Sequence, residues 1–311
     1  MDYQGRTALS APKASKGAKL LNNFREKAIK YFFMANGIFS IVILIGIFYL
    51  LMSRSLPALQ SVGITSFFSS GYWNPGAYST PMYSILNLIK GTFMVGVGSL
   101  IFAVPLGVAC AVYLAEVAHP REREVLKPII EILAGIPSVV LGFFGLVVLA
   151  PVIAELFGKS SGINALNGSI LVGIMALPTV VSLAEDAISA VPQSYRHASL
   201  ALGATKWQTI LRIIVPAALS GIIAASMLGM GRAVGETMTV LMATGNALAS
   251  PSSFFDSVRT LSANIAIEMG EVPVGGVHYH SLFFVGLVLF LITFVINLLA
   301  DIIFQRYREA A

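Results

Sequence analysis

Six apolar segments, each about 20 residues long or longer, restrict the folds that are open to this sequence. A helix needs about 20 residues to cross roughly 30 Å of hydrocarbon. Of the 311 residues, 56% are hydrophobic and only 11% are charged, a balance outside that of soluble domains. We predict an all-α, polytopic membrane protein with six transmembrane helices, at residues 31–52, 88–115, 128–154, 168–189, 214–246 and 281–304.

The basic residues are distributed unevenly between the loops, and this asymmetry predicts the orientation of the spans. Lys and Arg accumulate on the cytoplasmic side of membrane helices. Seven basic residues precede the first span, so the amino terminus is predicted to be cytoplasmic. Six crossings then place both termini on that side. The other basic residues predicted on that side are Arg121, Arg123, Lys127, Arg196, Lys206, Arg212, Arg306 and Arg308.

This orientation divides the chain into five parts. Residues 1–30 form a basic cytoplasmic leader suited to contact anionic lipid. Residues 31–52 are the first transmembrane anchor, whose apolar core is longer than that of a removable signal peptide. Residues 53–84 form a periplasmic loop, residues 85–304 the main transmembrane domain, and residues 305–311 a cytoplasmic tail.

The two long outer loops carry residues with alternative interpretations. Tyr72 and Trp73, in "FFSSGYWNPGAYSTPMY", suit a membrane-interface belt. His278 and His280 could bind a metal, but neither a carboxylate nor a cysteine accompanies them, so we expect no metal site. The single cysteine, Cys110, excludes a disulfide within the chain.

An arginine and a glutamate interrupt the fifth apolar segment, in "MLGMGRAVGETMTV". Arg232 is predicted near the middle of that span, where a charge costs about 2.5–3.5 kcal/mol and requires a partner or a wet cavity. Glu236 is four residues further along the same helix face, so an ion pair between the two is expected to be feasible. Gly231 and Gly235 have the spacing that allows close helix packing.

This pair has a functional and a structural interpretation. In the first, Arg232 offers donors to a tetrahedral oxyanion, Glu236 orients the guanidinium, and the hydroxyl of Thr237 adds a contact. In the second, the pair is a buried clamp between helices. Elsewhere, Glu131 is expected to be a helix-start carboxylate near Lys127, and kinks are expected at Pro105, Pro137 and Pro178.

The loop between the fourth and fifth spans has a distinct pattern, "VPQSYRHASLALGATKWQTILRIIVP". Pro192 near a helix start and Gly203 beyond a helix end predict a short helix. Thr205 and Gln208 then form a capping box for a second helix. A short exposed helix of this kind can fit a groove on another protein, although an ordinary connection between spans is the alternative.

The same loop resembles the EAA loop of the permease subunits of bacterial ABC importers, which reads Glu-Ala-Ala, three residues, Gly, nine residues and Ile-x-Leu-Pro. The matching positions, within residues 192–216, are Ala198, Ser199, Gly203, Ile213, Val215 and Pro216. His197 stands where the family has its glutamate. The resemblance implies that this helix docks on an ATPase subunit and couples ATP-driven movement to the spans.

Three further stretches, "YWNPGAYSTPMYSILNLIKGTF", "EILAGIPSVVLGFFGLVVLAP" and "GMGRAVGETMTVLMATGN", resemble PstC-type permeases of bacterial phosphate importers. The sister PstA-type permease and a permease for another oxyanion are the alternatives. The resemblance implies a type I ABC importer permease fold in the bacterial cytoplasmic (inner) membrane. The implied partners are a homologous PstA-type permease, two ATPase subunits and an external phosphate-binding protein. ATP and Mg²⁺ would bind the ATPases, with no cofactor on this chain.

Other function classes fit the sequence less well. An enzyme would need a nucleophile with a base, or a metal cluster, at membrane depth, but all four histidines lie outside the predicted spans. The sequence contains no G-x-x-x-x-G-K-[ST] phosphate loop and no nucleic-acid-binding motif. A passive channel would have no use for an ATPase-docking helix.

Overall fold

The computed structural model describes the backbone of residues 16–308 and the side chains of residues 26–303 and 305. The first fifteen residues of the predicted leader, residues 309–311, and the side chains of Arg306 and Arg308 lie outside the described part. Among the described residues, those up to Leu50 and those from Leu51 onward form separate compact units.

The described chain is mainly helical. Its α-helices are α1 Lys16–Val62, α2 Ile64–Phe67, α3 Leu86–Val112, α4 Pro120–Ala134, α5 Ser138–Phe144, α6 Ala150–Phe157, α7 Ala165–Ser189, α8 Gln193–Ala201, α9 Lys206–Thr209, α10 Val215–Ala217, α11 Leu219–Val234, α12 Met238–Ala243, α13 Leu261–Glu268 and α14 Val277–Arg308. Three π-helical turns, Tyr113–Val117, Gly145–Leu149 and Ile210–Ile214, continue α3, join α5 to α6 and join α9 to α10. One hairpin pairs β1 Trp73–Asn74 with the antiparallel β2 Met82–Tyr83.

Five segments are long and apolar enough to cross a membrane. They are Glu26–Val62, Leu86–Val117, Ser138–Leu156, Ala165–Ser189 and Val277–Ile303. The bent pair Lys206–Ala217 and Leu219–Val234 provides a sixth if it is counted as one span. The polytopic, all-α architecture predicted from the sequence is therefore confirmed.

The first helix is longer than predicted. It continues past residue 52 to Val62, so the first ten residues of the predicted outer loop are helical. The rest of that loop contains α2 and the β-hairpin, in which Trp73 pairs with Tyr83. The second long loop contains α13, which begins with the side chain of Thr260 accepting a hydrogen bond from Ala263 N.

The predicted third span, 128–154, is wrong at its start. Residues 120–134 form the separate helix α4, opened by a capping box between His119 and Glu122. The His119 backbone N–H bond to Glu122 lowers the pKa of that carboxyl. The chain leaves the helical conformation at Gly135–Pro137, because the residue before a proline disfavours the α region, and the span begins at Ser138. Pro105 and Pro178 lie inside helices that continue through them.

The predicted fifth span, 214–246, is not one continuous helix. The chain bends by 66° between residues 217 and 219, and α11 ends at Val234. A second break, at residues 235–237, separates α11 from α12. These breaks set the position of the charged residues discussed below.

Buried side chains form three clusters within the unit of residues 51–311. One lies at the end of the bundle that carries the β-hairpin, here called the hairpin end, and includes Phe67, Trp73, Leu88, Leu261 and Leu282. The second lies at the opposite end, next to α8, and is called the α8 end; it includes Ala111, Ile188, Ile214 and Ile222. The third includes Val95, Val172, Ala233, Val240 and Val258.

Helices α3 and α7 approach closely because each presents glycines to the other helix. A Cβ at Gly107 would lie 2.7 Å from Val180 Cγ1, and one at Gly173 would lie 3.0 Å from the carbonyl oxygen of Ser99. Small residues let helix backbones approach and pack tightly within a membrane. The α3–α7 pair is thus a rigid centre against which α11 also packs, since a Cβ at Gly229 would lie 2.9 Å from Val180 Cγ2.

Gly107→Ala is expected to destabilise the protein by about 1–3 kcal/mol, because the new methyl group would overlap the stiff, β-branched Val180. Thermal unfolding of the detergent-purified protein measures this loss. Gly286→Ala is the matched control, since its Cβ would meet Leu51 Cδ2 at 3.4 Å. Equal melting temperatures for the two variants would contradict the close α3–α7 packing.

Candidate functional site

Arg232 and Glu236 lie on either side of a helix break. Arg232 is in the last turn of α11, and Gly235 caps that helix. Glu236 lies beyond the helix end, and α12 begins at Met238. The prediction that Arg232 lies in the middle of an uninterrupted helix is therefore wrong.

The expected ion pair between Arg232 and Glu236 is also absent from the structure's described salt bridges. Glu236 Oε1 instead accepts a hydrogen bond from Thr239 N, at 3.3 Å. The break places a cation at the carboxyl end of one helix and an anion at the amino end of the next, where helix dipoles favour each charge. Both charges are therefore stabilised locally, without contact between them.

The guanidinium of Arg232 contacts a different helix. Its Nη1 donates to Thr179 Oγ1 on α7, at 3.3 Å. Arg232 is exposed in this chain, so further donors of its planar fork remain available to an acceptor. Thr179 is a residue that the sequence analysis missed, because it is 53 positions away.

The break is held by hydroxyl groups from several elements. Thr237 Oγ1 donates to the carbonyl of Gly235 at 3.3 Å. Ser262, in the first turn of α13, donates to the carbonyl of Glu236 at 2.7 Å. The buried Thr239 donates to the carbonyl of Ser138 at 3.1 Å. The sequence stretches "GRAVGET" and "GIPSVV" therefore meet at the starts of α12 and α5.

Only one of the two paired glycines serves helix packing. A Cβ at Gly231 would lie 2.6 Å from Asn297 Oδ1, so this glycine allows α14 to approach α11. A Cβ at Gly235 would meet only backbone atoms of its own helix, at 3.7 Å. Its role in the structure is to end α11.

The loop that resembles the EAA loop has the predicted helix–glycine–helix form. Helix α8 begins after Pro192, and Gly203 has a φ of 83°, a conformation that favours glycine. Thr205 and Gln208 form the predicted capping box. Ser199 Oγ and Thr209 Oγ1 lie 2.9 Å apart and connect α8 to α9.

This loop presents apolar side chains to its surroundings. The exposed fractions are 50% for Leu200, 89% for Leu202 and 60% for Trp207. His197 and Ala198 are also exposed. Ile213 is 38% exposed, and Pro216 lies in the short helix α10, which begins at Val215. Such a surface is suited to contact another protein.

Arg196, next to His197, anchors α8 to the bundle. Its Nε donates to Glu116 Oε1 at 3.0 Å, and its Nη2 donates to the carbonyl of Ile188 at 3.1 Å. Nη1 donates to the carbonyl of Val191. Arg196 therefore joins α8 to the end of α7 and to the π-helical turn that follows α3. Sequence reasoning gave this arginine only a topological role.

A second ion-pair cluster joins α4 to α7. Glu185 is fully buried and pairs with Arg123 and with Lys127, whose Nζ is 3.1 Å from Glu185 Oε2. Lys127 therefore pairs with α7, and Glu131 lies in the second half of α4. The expectation that Glu131 is a helix-start carboxylate is wrong.

At the hairpin end, the carboxylate of Glu268 interacts with three side chains. Trp73 Nε1 donates to Glu268 Oε2 at 2.7 Å, and His278 Nε2 lies 2.8 Å from the same oxygen. Arg259 Nη1 donates to Glu268 Oε1 at 3.0 Å. Burial lowers the pKa of Arg259, whereas the Glu268 carboxylate raises it.

This network changes the interpretation of the outer-loop residues. Trp73 is only 1% exposed, so it is a core residue and not an interface anchor. His278 belongs to the Glu268 network, and His280 Nδ1 contacts the carbonyl of Arg54 at 2.7 Å. Among the described residues, no group of three or more His, Cys, Asp or Glu side chains could hold a metal ion.

Solved structures with a similar fold are ABC transporters. The chain aligns with a structure of a bacterial ABC transporter involved in the import of the acidic polysaccharide alginate, with a TM-score of 0.60 and 17% identity, over 93% of this chain and 99% of that one. An inward-facing structure of the MetNI methionine ABC transporter gives a TM-score of 0.54 with 19% identity, over 72% and 97%. The type I ABC importer permease fold is therefore confirmed.

Relatives at the sequence level agree with this fold. The probable ABC transporter permease protein YqgH of Bacillus subtilis is 42% identical over 80% of this chain and 81% of its own length. A phosphate transport system permease protein PstC of Mesorhizobium japonicum is 35% identical over 88% of both chains. The model of the family named "Binding-protein-dependent transport system inner membrane component" matches residues 103–309. This chain belongs to that family, a family of multi-pass membrane transport subunits and not of enzymes.

Proposed function

We propose that this chain is a permease subunit of an ATP-driven importer and that it translocates inorganic phosphate across the cytoplasmic membrane. The relatives named PstC support phosphate as the substrate. The observation that carries the proposal is the exposed guanidinium of Arg232 at the end of α11. A guanidinium is well suited to bind a tetrahedral oxyanion through several donors.

The local charges suit passage of an anion better than its retention. Glu236 lies four residues from Arg232 but engages Thr239 N, so it leaves the guanidinium free. Its negative charge near the path would limit how tightly phosphate binds. Thr237, whose hydroxyl donates to Gly235 O, is expected at the edge of this path.

The remaining subunits are part of the same proposal. A homologous PstA-type permease would complete the path, two ATPase subunits would bind ATP and Mg²⁺, and an external phosphate-binding protein would deliver the substrate. Helices α8 and α9 and the turn between them would lie on the cytoplasmic side, with both chain termini, and dock on an ATPase through Leu200, Leu202 and Trp207. No cofactor is assigned to this chain.

The coupling route proposed here runs along α7. Arg196 binds the carbonyl of Ile188 in the last turn of α7 and that of Val191 just beyond it, so displacement of α8 by the ATPase would move α7. Thr179 lies ten residues before Ser189, or about 15 Å along that helix. Movement of α7 would therefore shift Thr179 relative to Arg232 and alternate access to the path.

Arg232→Gln is expected to reduce phosphate uptake at least about tenfold, because charge-assisted hydrogen bonds to the anion are lost. ATP-dependent phosphate uptake is measured in proteoliposomes that contain the full complex, with ATP hydrolysis recorded on the same preparations. Assembly and ATP hydrolysis should remain. Arg54→Gln, which removes an exposed arginine of α1, is the control. Uptake by Arg232→Gln at the wild-type rate would contradict a role on the path.

Arg196→Ala is expected to lower the amount of phosphate imported per ATP hydrolysed, because α8 would no longer be fixed to α7 and Glu116 would lose its partner. The same proteoliposomes give the ratio of uptake to hydrolysis. Arg121→Ala, an exposed arginine on α4, serves as the control. An unchanged ratio in assembled Arg196→Ala complexes would contradict the anchoring role.

A further inference from the structure

Thr179 uses its hydroxyl differently from three other threonines that lie in helices or at a helix end. Thr92, Thr244 and Thr293 donate to carbonyls four residues earlier in the sequence, those of Leu88, Val240 and Leu289. That is the usual way for a threonine to satisfy its hydroxyl within a membrane helix. Thr179 instead accepts a hydrogen bond from Arg232 Nη1, at 3.3 Å.

The chemistry of a hydroxyl leaves Thr179 with a donor. A hydroxyl carries one proton and two acceptor positions. Because Arg232 occupies an acceptor position, the proton of Thr179 points elsewhere. An anion that binds the guanidinium would lie beside this oxygen and could accept the proton in a hydrogen bond.

Four other polar side chains around the break are engaged in hydrogen bonds. Glu236 Oε1 accepts from Thr239 N, and Thr237 Oγ1 donates to the carbonyl of Gly235. The hydroxyls of Thr239 and Ser262 donate to the carbonyls of Ser138 and Glu236. Thr179 is thus the described hydroxyl that both contacts Arg232 and retains its proton for a ligand.

We infer that Thr179 is a second substrate-contacting residue of the phosphate path. Its hydroxyl orients the Arg232 guanidinium when no anion is present and donates to a phosphate oxygen when phosphate binds. This inference rests on the proposed function. It assigns the path to two helices, α7 and α11, so that substrate contact depends on their relative position.

The test compares Thr179→Val, which removes the hydroxyl at nearly constant volume, with Thr179→Ser, which retains it. Maximal phosphate uptake and ATP hydrolysis are measured in proteoliposomes of the full complex, with saturating phosphate-binding protein. Thr179→Val should lower maximal uptake about tenfold, the loss expected for a hydrogen bond to a charged ligand. Thr179→Ser should recover uptake to within about twofold of wild type, the spread usual for such effects. Assembly and ATP hydrolysis should stay unchanged in both.

Thr293→Val is the matched control, because that hydroxyl bonds only within α14. Wild-type uptake by Thr179→Val, alongside loss in Arg232→Gln, would overturn the role of Thr179 and leave the proposed function intact. Equal loss in Thr179→Val and Thr179→Ser would also overturn it, since the hydroxyl would not be the cause. Failure of the wild-type complex to import phosphate would instead refute the proposed function.

Discussion

The break between α11 and α12 is the feature on which the rest of the site depends. An arginine within a membrane span is costly unless its charge is compensated. Helix α11 ends at Val234, so Arg232 lies at the negative end of the helix dipole, which stabilises its positive charge. The negative charge of Glu236 is stabilised at the start of α12, where Thr239 N donates a hydrogen bond to it. Arg232 and Glu236 therefore do not pair with each other, and the guanidinium of Arg232 keeps donors for a ligand.

The second constraint is mechanical. The small residues between α3 and α7 make this pair a rigid centre. At the α8 end, Arg196 connects α8 to this pair through Glu116 and the carbonyls of Ile188 and Val191. Glu185 adds a buried contact from α7 to α4. In the proposed coupling, a displacement of α8 would therefore be transmitted along α7 to Thr179, on the same helix. The proposed coupling needs no contact beyond these.

Sequence patterns predicted the parts of this fold that depend on local chemistry. Apolar length predicted the positions of the first, second, fourth and sixth spans. The pattern of Pro192, Gly203, Thr205 and Gln208 predicted the turn between α8 and α9 with its capping box. The break at residues 235–237 was missed because apolar residues lie on both sides of it, so that Gly235, Glu236 and Thr237 were assigned to one continuous span. Hydropathy alone cannot show where a helix stops inside a membrane.

Side-chain pairs that are far apart in the sequence could not be predicted, for a different reason. Arg196 and Glu116 are 80 residues apart, and Trp73 and Glu268 are 195 apart. Such pairs follow from the way that helices pack, which one sequence does not reveal. Trp73 was therefore interpreted as an interface residue although it is buried, and Arg232 was paired with its neighbour Glu236 although it contacts Thr179.

The central claim is that phosphate passes Arg232, and a distance measurement tests it most directly. Solid-state NMR on the assembled importer, trapped during turnover with bound phosphate and labelled with ¹⁵N-arginine, would measure phosphorus–nitrogen dipolar coupling. The account predicts coupling from a guanidinium in hydrogen-bonding contact with phosphate, and loss of that signal in Arg232→Lys. A phosphate–arginine coupling that persists unchanged in Arg232→Lys, or its absence in the wild-type complex, would contradict the account.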